Sequence, residues 1–185
     1  MARHSILVID DDPIIVYQLR TLLEQWGYLV EVAGSGKDAL EWFKTFTPEV
    51  VLLDWNMPGM SGIDLLRILR KFPERNKMFI IMVSGKLLTE DIVVGFEAGA
   101  NDYMIKPYSM EELRARIANG IRTVTQYSRD AVATVRMRED IRQLDALSFQ
   151  LSSMVSDNSS VYPVSKAIRD LVMTLTKDLR TAGLD

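Results

Sequence analysis

The stretch Val50-Val51-Leu52-Leu53-Asp54-Trp55-Asn56-Met57-Pro58-Gly59-Met60-Ser61-Gly62 sets the frame for the rest of the chain. Four apolar residues run straight into a carboxylate, and a loop punctuated by Pro58 and Gly59 follows before the next apolar-periodic segment. The run reads as a strand buried on both faces that delivers Asp54 to its carboxyl end, where open α/β sheets hold their ligand sites. A lone aspartate at that point serves equally well to cap the following helix. Its companions elsewhere in the chain decide between the two.

Upstream, Ile6-Leu7-Val8-Ile9 is a second continuous apolar run, and it leads into Asp10-Asp11-Asp12. Pro13 then suits the first turn of a helix with Asp12 as its N-cap, and Gly27 stops that helix after Trp26. Tyr28 to Ala33 is the second strand, and Gly34-Ser35-Gly36 opens a helix that ends before Pro48. Downstream of the central stretch, Ser61 caps a helix, Met78 to Val83 is the fourth strand, and Thr89 caps the next helix. Asp102 to Ile105 is a short fifth strand running into Lys106-Pro107. Ser109-Met110-Glu111-Glu112 is a capping box opening the fifth helix. Five strands alternating with five helices predict a flavodoxin-like (βα)5 fold, a doubly wound parallel sheet in the order 2-1-3-4-5.

Composition narrows the class. The chain has 185 residues, of which 48% are apolar and 25% charged, the balance of an ordinary globular protein. The net charge of −3 favours neither nucleic acid nor an anionic membrane as a partner of the whole molecule. With no cysteine there is no disulfide and no thiol-based metal or redox chemistry. The run after Ser5 is too short for a signal peptide, and no segment is long and apolar enough to span a bilayer. A cytoplasmic location without membrane contact is the expectation.

In the expected topology the carboxyl ends of strands one, three, four and five bring Asp10 and Asp11, Asp54, Ser84 and Lys106 to one edge of the sheet. Strands one and three are neighbours there, so the aspartates converge. Gathered carboxylates repel one another, and a hard divalent cation relieves the repulsion through oxygen ligands; Mg²⁺ is the candidate. Mg²⁺ in turn points to phosphate chemistry, because it shares its coordination between carboxylates, water and phosphate oxygens. A carboxylate can attack a phosphoryl group to give an acyl phosphate, with Lys106 as a second positive charge and Ser84 as a hydrogen-bond donor.

The same segments carry a resemblance. Ile6 through Pro13, Asp54 through Gly62, Val83-Ser84-Gly85 and Gly99-Ala100-Asn101-Asp102-Tyr103-Met104-Ile105-Lys106-Pro107 are similar to the signature segments of response-regulator receiver domains of two-component systems. The resemblance covers about residues 4 to 125. It implies that Asp54 accepts a phosphoryl group from a sensor histidine kinase or a phosphotransfer protein. It implies further that Asp11, Asp54 and the backbone carbonyl of Asn56 ligate Mg²⁺, with Asp10 completing the acidic pocket through water. Ser84 and Lys106 would contact the phosphoryl group, and the Lys106-Pro107 bond would be cis. Tyr103, three residues before Lys106, stands where the family carries its switch aromatic. In that scheme Ser84 moves toward the phosphoryl oxygen and Tyr103 turns inward. Such a protein is a signalling phospho-acceptor, not an enzyme with a separate substrate. The competing class is an Mg²⁺-dependent hydrolase that forms an aspartyl phosphate on the DxD pattern of Asp10-Asp11-Asp12.

The receiver is expected to occupy residues 1–125, and a helical extension residues 126–185. Within that extension Met137, Ile141, Leu144, Leu151 and Val155 follow the 4-3 spacing of a coiled coil. Ser156-Asp157-Asn158-Ser159-Ser160 reads as a loop, and a second amphipathic segment starts at Pro163, so a helical hairpin is expected. A dimerisation bundle, a lid on the receiver and a docking surface for a downstream protein all fit such helices. A homodimer through these helices or through the switch face belongs to the same set, as does a longer regulator of which this chain is the front part. From Gly120 onward nine Lys and Arg face eight Asp and Glu, so no basic face emerges and no DNA partner is expected.

Overall fold

The computed structural model of the chain describes residues 3–154 and 162–181. It divides into two units, Met1–Tyr127 and Ser128–Asp185. In the first, strands β1 (Ser5–Ile9), β2 (Leu29–Ala33), β3 (Val50–Asp54), β4 (Phe79–Ser84) and β5 (Asp102–Ile105) form one sheet in the order β2-β1-β3-β4-β5. Every pairing is parallel. The expected doubly wound topology is the one observed. Helices α1 (Pro13–Gln25), α2 (Gly36–Thr45), α3 (Gly62–Leu69) and α4 (Thr89–Glu97) make the crossovers, and α5 runs from Met110 to Met154.

Alternation along the central strands builds two cores. Ile6, Val8, Val50, Leu52, Phe79 and Ile81 face one side of the sheet, where Leu19 and Leu23 of α1 and Leu113 and Ile117 of α5 cover them. Leu7, Ile9, Val51, Leu53, Ile80 and Met82 face the other, under Ala39 and Phe43 of α2 and Leu65, Leu66 and Leu69 of α3. Each fully buried aliphatic side chain contributes about 1.5–3 kcal/mol on leaving water, which is why β1, β3 and β4 read as unbroken apolar runs.

The helix starts show how the sequence places the sheet's carboxyl edge. Asp12 accepts from the amides of Ile14 and Ile15, Ser35 from Asp38, and Ser61 from Asp64, so α1, α2 and α3 each begin on a side-chain cap. The expectation for the fourth helix is corrected: Thr89 is its first helical residue, Leu88 holds the cap position, and no side chain caps it. At the fifth helix the Ser109 hydroxyl accepts from the Glu112 amide, but the Glu112 carboxylate is engaged by Arg116, so only half of the expected capping box forms.

In the second unit, the later part of α5 and α6 (Tyr162–Thr181) bury Ile141 and Val172. Of the expected 4-3 seam, Met137 and Leu144 are exposed. The residues half-buried beside Ile141 on α5 are Thr134 and Arg138, so the buried line runs one residue away from the apolar stripe. Val155 and the expected loop Ser156–Ser160 lie outside the described residues. Among the described residues no helix is long and apolar enough to cross a membrane.

Candidate functional site

Parallel register aligns the strand ends. Ile9 pairs with Leu53, Asp54 with Val83, and Ser84 with Ile105, so the residues that follow or end these strands share one edge. The Asp10 amide is held by the Ala33 carbonyl, the Trp55 amide by Val83 and the Lys106 amide by Ser84, which ties the end of β1 to that of β2 and the ends of β3 and β5 to that of β4. The Lys106-Pro107 peptide bond is cis.

Three of the expected site residues meet directly. The Lys106 ammonium donates to Asp54 Oδ1 at 2.6 Å and to Asp10 Oδ2 at 2.9 Å. Asp54 and Asp10 are 7% and 5% exposed. Their remaining oxygens are also engaged: Asp54 Oδ2 accepts from the Asn56 amide at 2.6 Å, and Asp10 Oδ1 from the Asp12 amide at 2.9 Å. Asp11 is exposed beside this pair. Ser84 is fully buried, and its hydroxyl oxygen accepts from the Lys86 amide at 3.1 Å without touching Asp54.

Burial pushes the Asp54 carboxyl above the ordinary carboxylate value, against the opposing pull of Lys106. Burial also disfavours the Lys106 charge, but its bonds to Asp54 and Asp10 outweigh that and hold its pKa above the usual lysine value. A carboxyl with a raised pKa binds its proton more tightly in the folded chain. Its stabilising contribution is complete below the ordinary value and is lost as the pH rises through the folded value, beyond which the buried charge costs stability. Asp54→Asn is therefore expected to raise Tm by a few degrees at pH 7 and by less at pH 4. A Tm that falls at pH 7 would mean that the Lys106 pair outweighs burial.

The donor set suits a hard cation. Two buried carboxylates share one ammonium, which leaves a net negative charge, and Asp11, next in the chain to Asp10, is exposed. Among the described residues no three acidic or histidine side chains form a ready cage. Mg²⁺ needs none, because it is held by one or two carboxylates and otherwise by water and phosphate oxygens.

This arrangement of strand ends has relatives. The chain matches the model of the response regulator receiver domain over residues 6–118. It belongs to that family. Over 120 residues it is 41% identical to the DNA-binding response regulator MtrA of Mycolicibacterium smegmatis, a match covering 65% of this chain and 51% of that protein. The regulatory protein TorR of Escherichia coli is 37% identical over 116 residues, covering 63% and 49%. The chain thus spans about half the length of the curated relatives it matches. Among solved structures, a CheY-like receiver from Methanospirillum hungatei superposes with a TM-score of 0.64 at 30% identity, covering 68% of this chain and 99% of that one.

The relatives correct one expectation. Charge balance beyond Gly120 predicts no DNA partner, yet the mycobacterial relatives are named DNA-binding response regulators. Near-neutral charge in the extension describes that segment alone. It carries no information about what a regulator built on this receiver acts on, and the exclusion is withdrawn.

Around Tyr103 the structure brings together Trp55 and Lys86, which flank Asp54 and Ser84 in the sequence, with Asp91, which the sequence does not single out. Tyr103 is buried, its hydroxyl donates to the Lys86 carbonyl at 3.3 Å, and its ring meets Trp55 edge-on at 6.2 Å. The Lys86 ammonium lies 4.6 Å over the Trp55 ring and pairs with Asp91 at 2.9 Å. Spacing along the chain holds no signal for their meeting, since they come from the residue after β3, from β5, from α4 and from the loop between β4 and α4.

Proposed function

We propose that the chain is a two-component receiver that takes a phosphoryl group onto Asp54 from the phosphohistidine of a sensor kinase or phosphotransfer protein. The observation that carries this reading is the Lys106 ammonium shared between Asp54 and Asp10, which sets one buried carboxylate in a pocket with both negative and positive charge. One Asp54 oxygen bonds to phosphorus as the P–N bond of the donor breaks. The electron pair leaves with the imidazole nitrogen, which takes up a proton from solvent. Lys106 supplies positive charge beside the transferred oxygens, and Ser84 supplies a hydroxyl at the neighbouring strand end. Asp11, Asp54 and the Asn56 carbonyl would hold Mg²⁺, with Asp10 behind water; when bound, the metal neutralises charge on the transferred group.

The aspartyl-phosphate hydrolase reading loses its second acid. Asp12 Oδ1 caps α1, accepting the Ile14 amide at 2.8 Å, which holds that side chain over the start of the helix and counts against a second role as proton donor. For output, DNA enters the reading through the relatives named for DNA binding or transcriptional regulation, alongside protein partners of the extension.

Acetyl phosphate with Mg²⁺ is expected to add one phosphoryl group per chain, visible by intact mass, and chelation with EDTA is expected to abolish the addition. Labelling that persists under chelation would overturn the metal's part, and no labelling at all would overturn the function. A macromolecular donor must also cover the pocket rim, where Ile14 and Tyr17 of α1 are 65% and 71% exposed. Tyr17→Ala is expected to slow transfer from the cognate donor about tenfold, the loss of one buried aromatic anchor, while the acetyl phosphate reaction keeps its rate. Equal slowing of both reactions would show that Tyr17 acts on the fold and not on docking.

A further inference from the structure

α4 lacks the side-chain cap that starts α1, α2 and α3, yet it carries the surface nearest Tyr103. Its Gly95 approaches so closely that an added Cβ would sit 3.2 Å from the Tyr103 ring and 3.6 Å from Trp55. Besides the packing of Ile92 against the core, its first turn is tied to the sheet by Lys86. That residue's ammonium bonds to Asp91, the third residue of α4, and lies over Trp55, the residue next to Asp54. Its amide is held by the Ser84 hydroxyl, and its carbonyl accepts the Tyr103 hydroxyl. One residue thus joins the neighbour of the acceptor, the hydroxyl at the end of β4, the buried tyrosine and the start of α4.

We propose that Lys86 is a positioning residue whose ammonium, seated on Trp55 and paired with Asp91, fastens the uncapped start of α4 and fixes the acceptor for Tyr103. The proposal rests on the reading of Asp54 as phospho-acceptor only for its consequence, that α4 senses the event at Asp54 through this latch. The pair is partly exposed, so Coulomb attraction alone holds it weakly; the indole face adds a second attraction that a solvated pair lacks. Closing the latch orders only the Lys86 side chain, because the Lys86 backbone is already pinned at both its amide and its carbonyl.

The experiment measures hydrogen exchange across residues 88–97 of the full chain, with and without beryllofluoride and Mg²⁺, for Lys86→Met, Asp91→Asn, the double variant and Lys86→Arg. Lys86→Met and Asp91→Asn are each expected to speed exchange in the first turn of α4 roughly three- to tenfold without any phosphoryl mimic. The double variant should add little to either, and Lys86→Arg should restore slow exchange, because a guanidinium also stacks on indole and pairs with a carboxylate. Both single variants should shrink the change that beryllofluoride produces. Wild-type exchange in either single variant, full additivity in the double, or no rescue by arginine would overturn the latch. A direct role of Lys86 at the phosphoryl group would instead give opposite signs in acetyl phosphate labelling, since Asp91→Asn frees the ammonium and Lys86→Met removes it. If the wild type takes up no phosphoryl group, the functional reading fails while the exchange rates without mimic still decide the latch.

Discussion

Asp54→Asn is expected to reduce acetyl phosphate labelling of the full chain to background, whereas Asp10→Asn slows it roughly ten- to hundredfold without moving the label. The two carboxylates look alike in burial and both hold Lys106, so the contrast tests their roles directly. In the proposed reaction only Asp54 forms the acyl bond. At Asp54, asparagine offers an amide in place of the nucleophilic oxygen. At Asp10, asparagine keeps an oxygen that can accept from Asp12 and from Lys106, and it loses the charge that offsets the ammonium and would attract a cation. Each tenfold in rate is about 1.4 kcal/mol of barrier, so the expected loss at Asp10 corresponds to one or two charge contacts at the reacting centre. Peptide mapping after borohydride trapping identifies the labelled side chain. Label on Asp10 or Asp12, or labelling that survives Asp54→Asn, would return the chain to the hydrolase class.

How much of this was legible before the structure differs from element to element. β1, β3 and β4 are buried on both faces, so their sequences are continuous apolar runs and their ends could be read to the residue or nearly so. Once the parallel order followed from βα alternation, the meeting of Asp10, Asp54 and Lys106 followed too, because strand ends in that order share an edge. The start of α4 was misread because a threonine before an apolar-periodic segment is the ordinary sign of a cap. Here the helix begins on Thr89 itself and takes its anchor from Lys86 through Asp91, a tertiary contact with no sequence signature. Arg70 was overlooked for a similar reason. Its half-buried guanidinium donates to the carbonyls of Gly99, Arg75 and Met78 and to the side chain of Asn101, with no carboxylate partner among the described residues, and desolvation lowers its pKa. In the extension the apolar stripe is a poor guide to burial: among the described residues Ile141 is buried, while Met137 and Leu144, at equally apolar positions, are exposed.

Gly62→Ala is expected to be the most damaging single methyl that the chain can receive at the sheet edge that holds Asp54. Gly62 opens α3 with its amide bonded to the Trp55 carbonyl at 2.9 Å, which draws the first turn of the helix onto the end of β3. A Cβ at this position would collide with the carbonyl oxygen of Asp54 and stand 3.2 Å from the Trp55 Cα. Both obstacles are backbone, and the strand that carries them is locked between β1 and β4, so no side-chain rotation can relieve the contact. Relief requires α3 to retreat from the sheet, which opens the core around Ile63, Leu65 and Leu66, or Asp54 to leave its place beside Lys106. Overpacking that a core absorbs by rotamer changes costs about 1–3 kcal/mol, so a clash with fixed backbone should cost at least about 3 kcal/mol and lower Tm by more than roughly 10 °C. Gly34→Ala and Gly85→Ala supply the comparison, since an added Cβ at either meets nothing within 4 Å. Those variants should melt within about 0.5 kcal/mol of the wild type. Acetyl phosphate labelling of the folded fraction of Gly62→Ala separates the two routes of relief: preserved labelling means that α3 has moved, and lost labelling means that Asp54 has. If Gly62→Ala melted like the two comparison variants, the close approach of α3 to the end of β3 would have to be wrong, and with it the placement of Asp54 in the pocket.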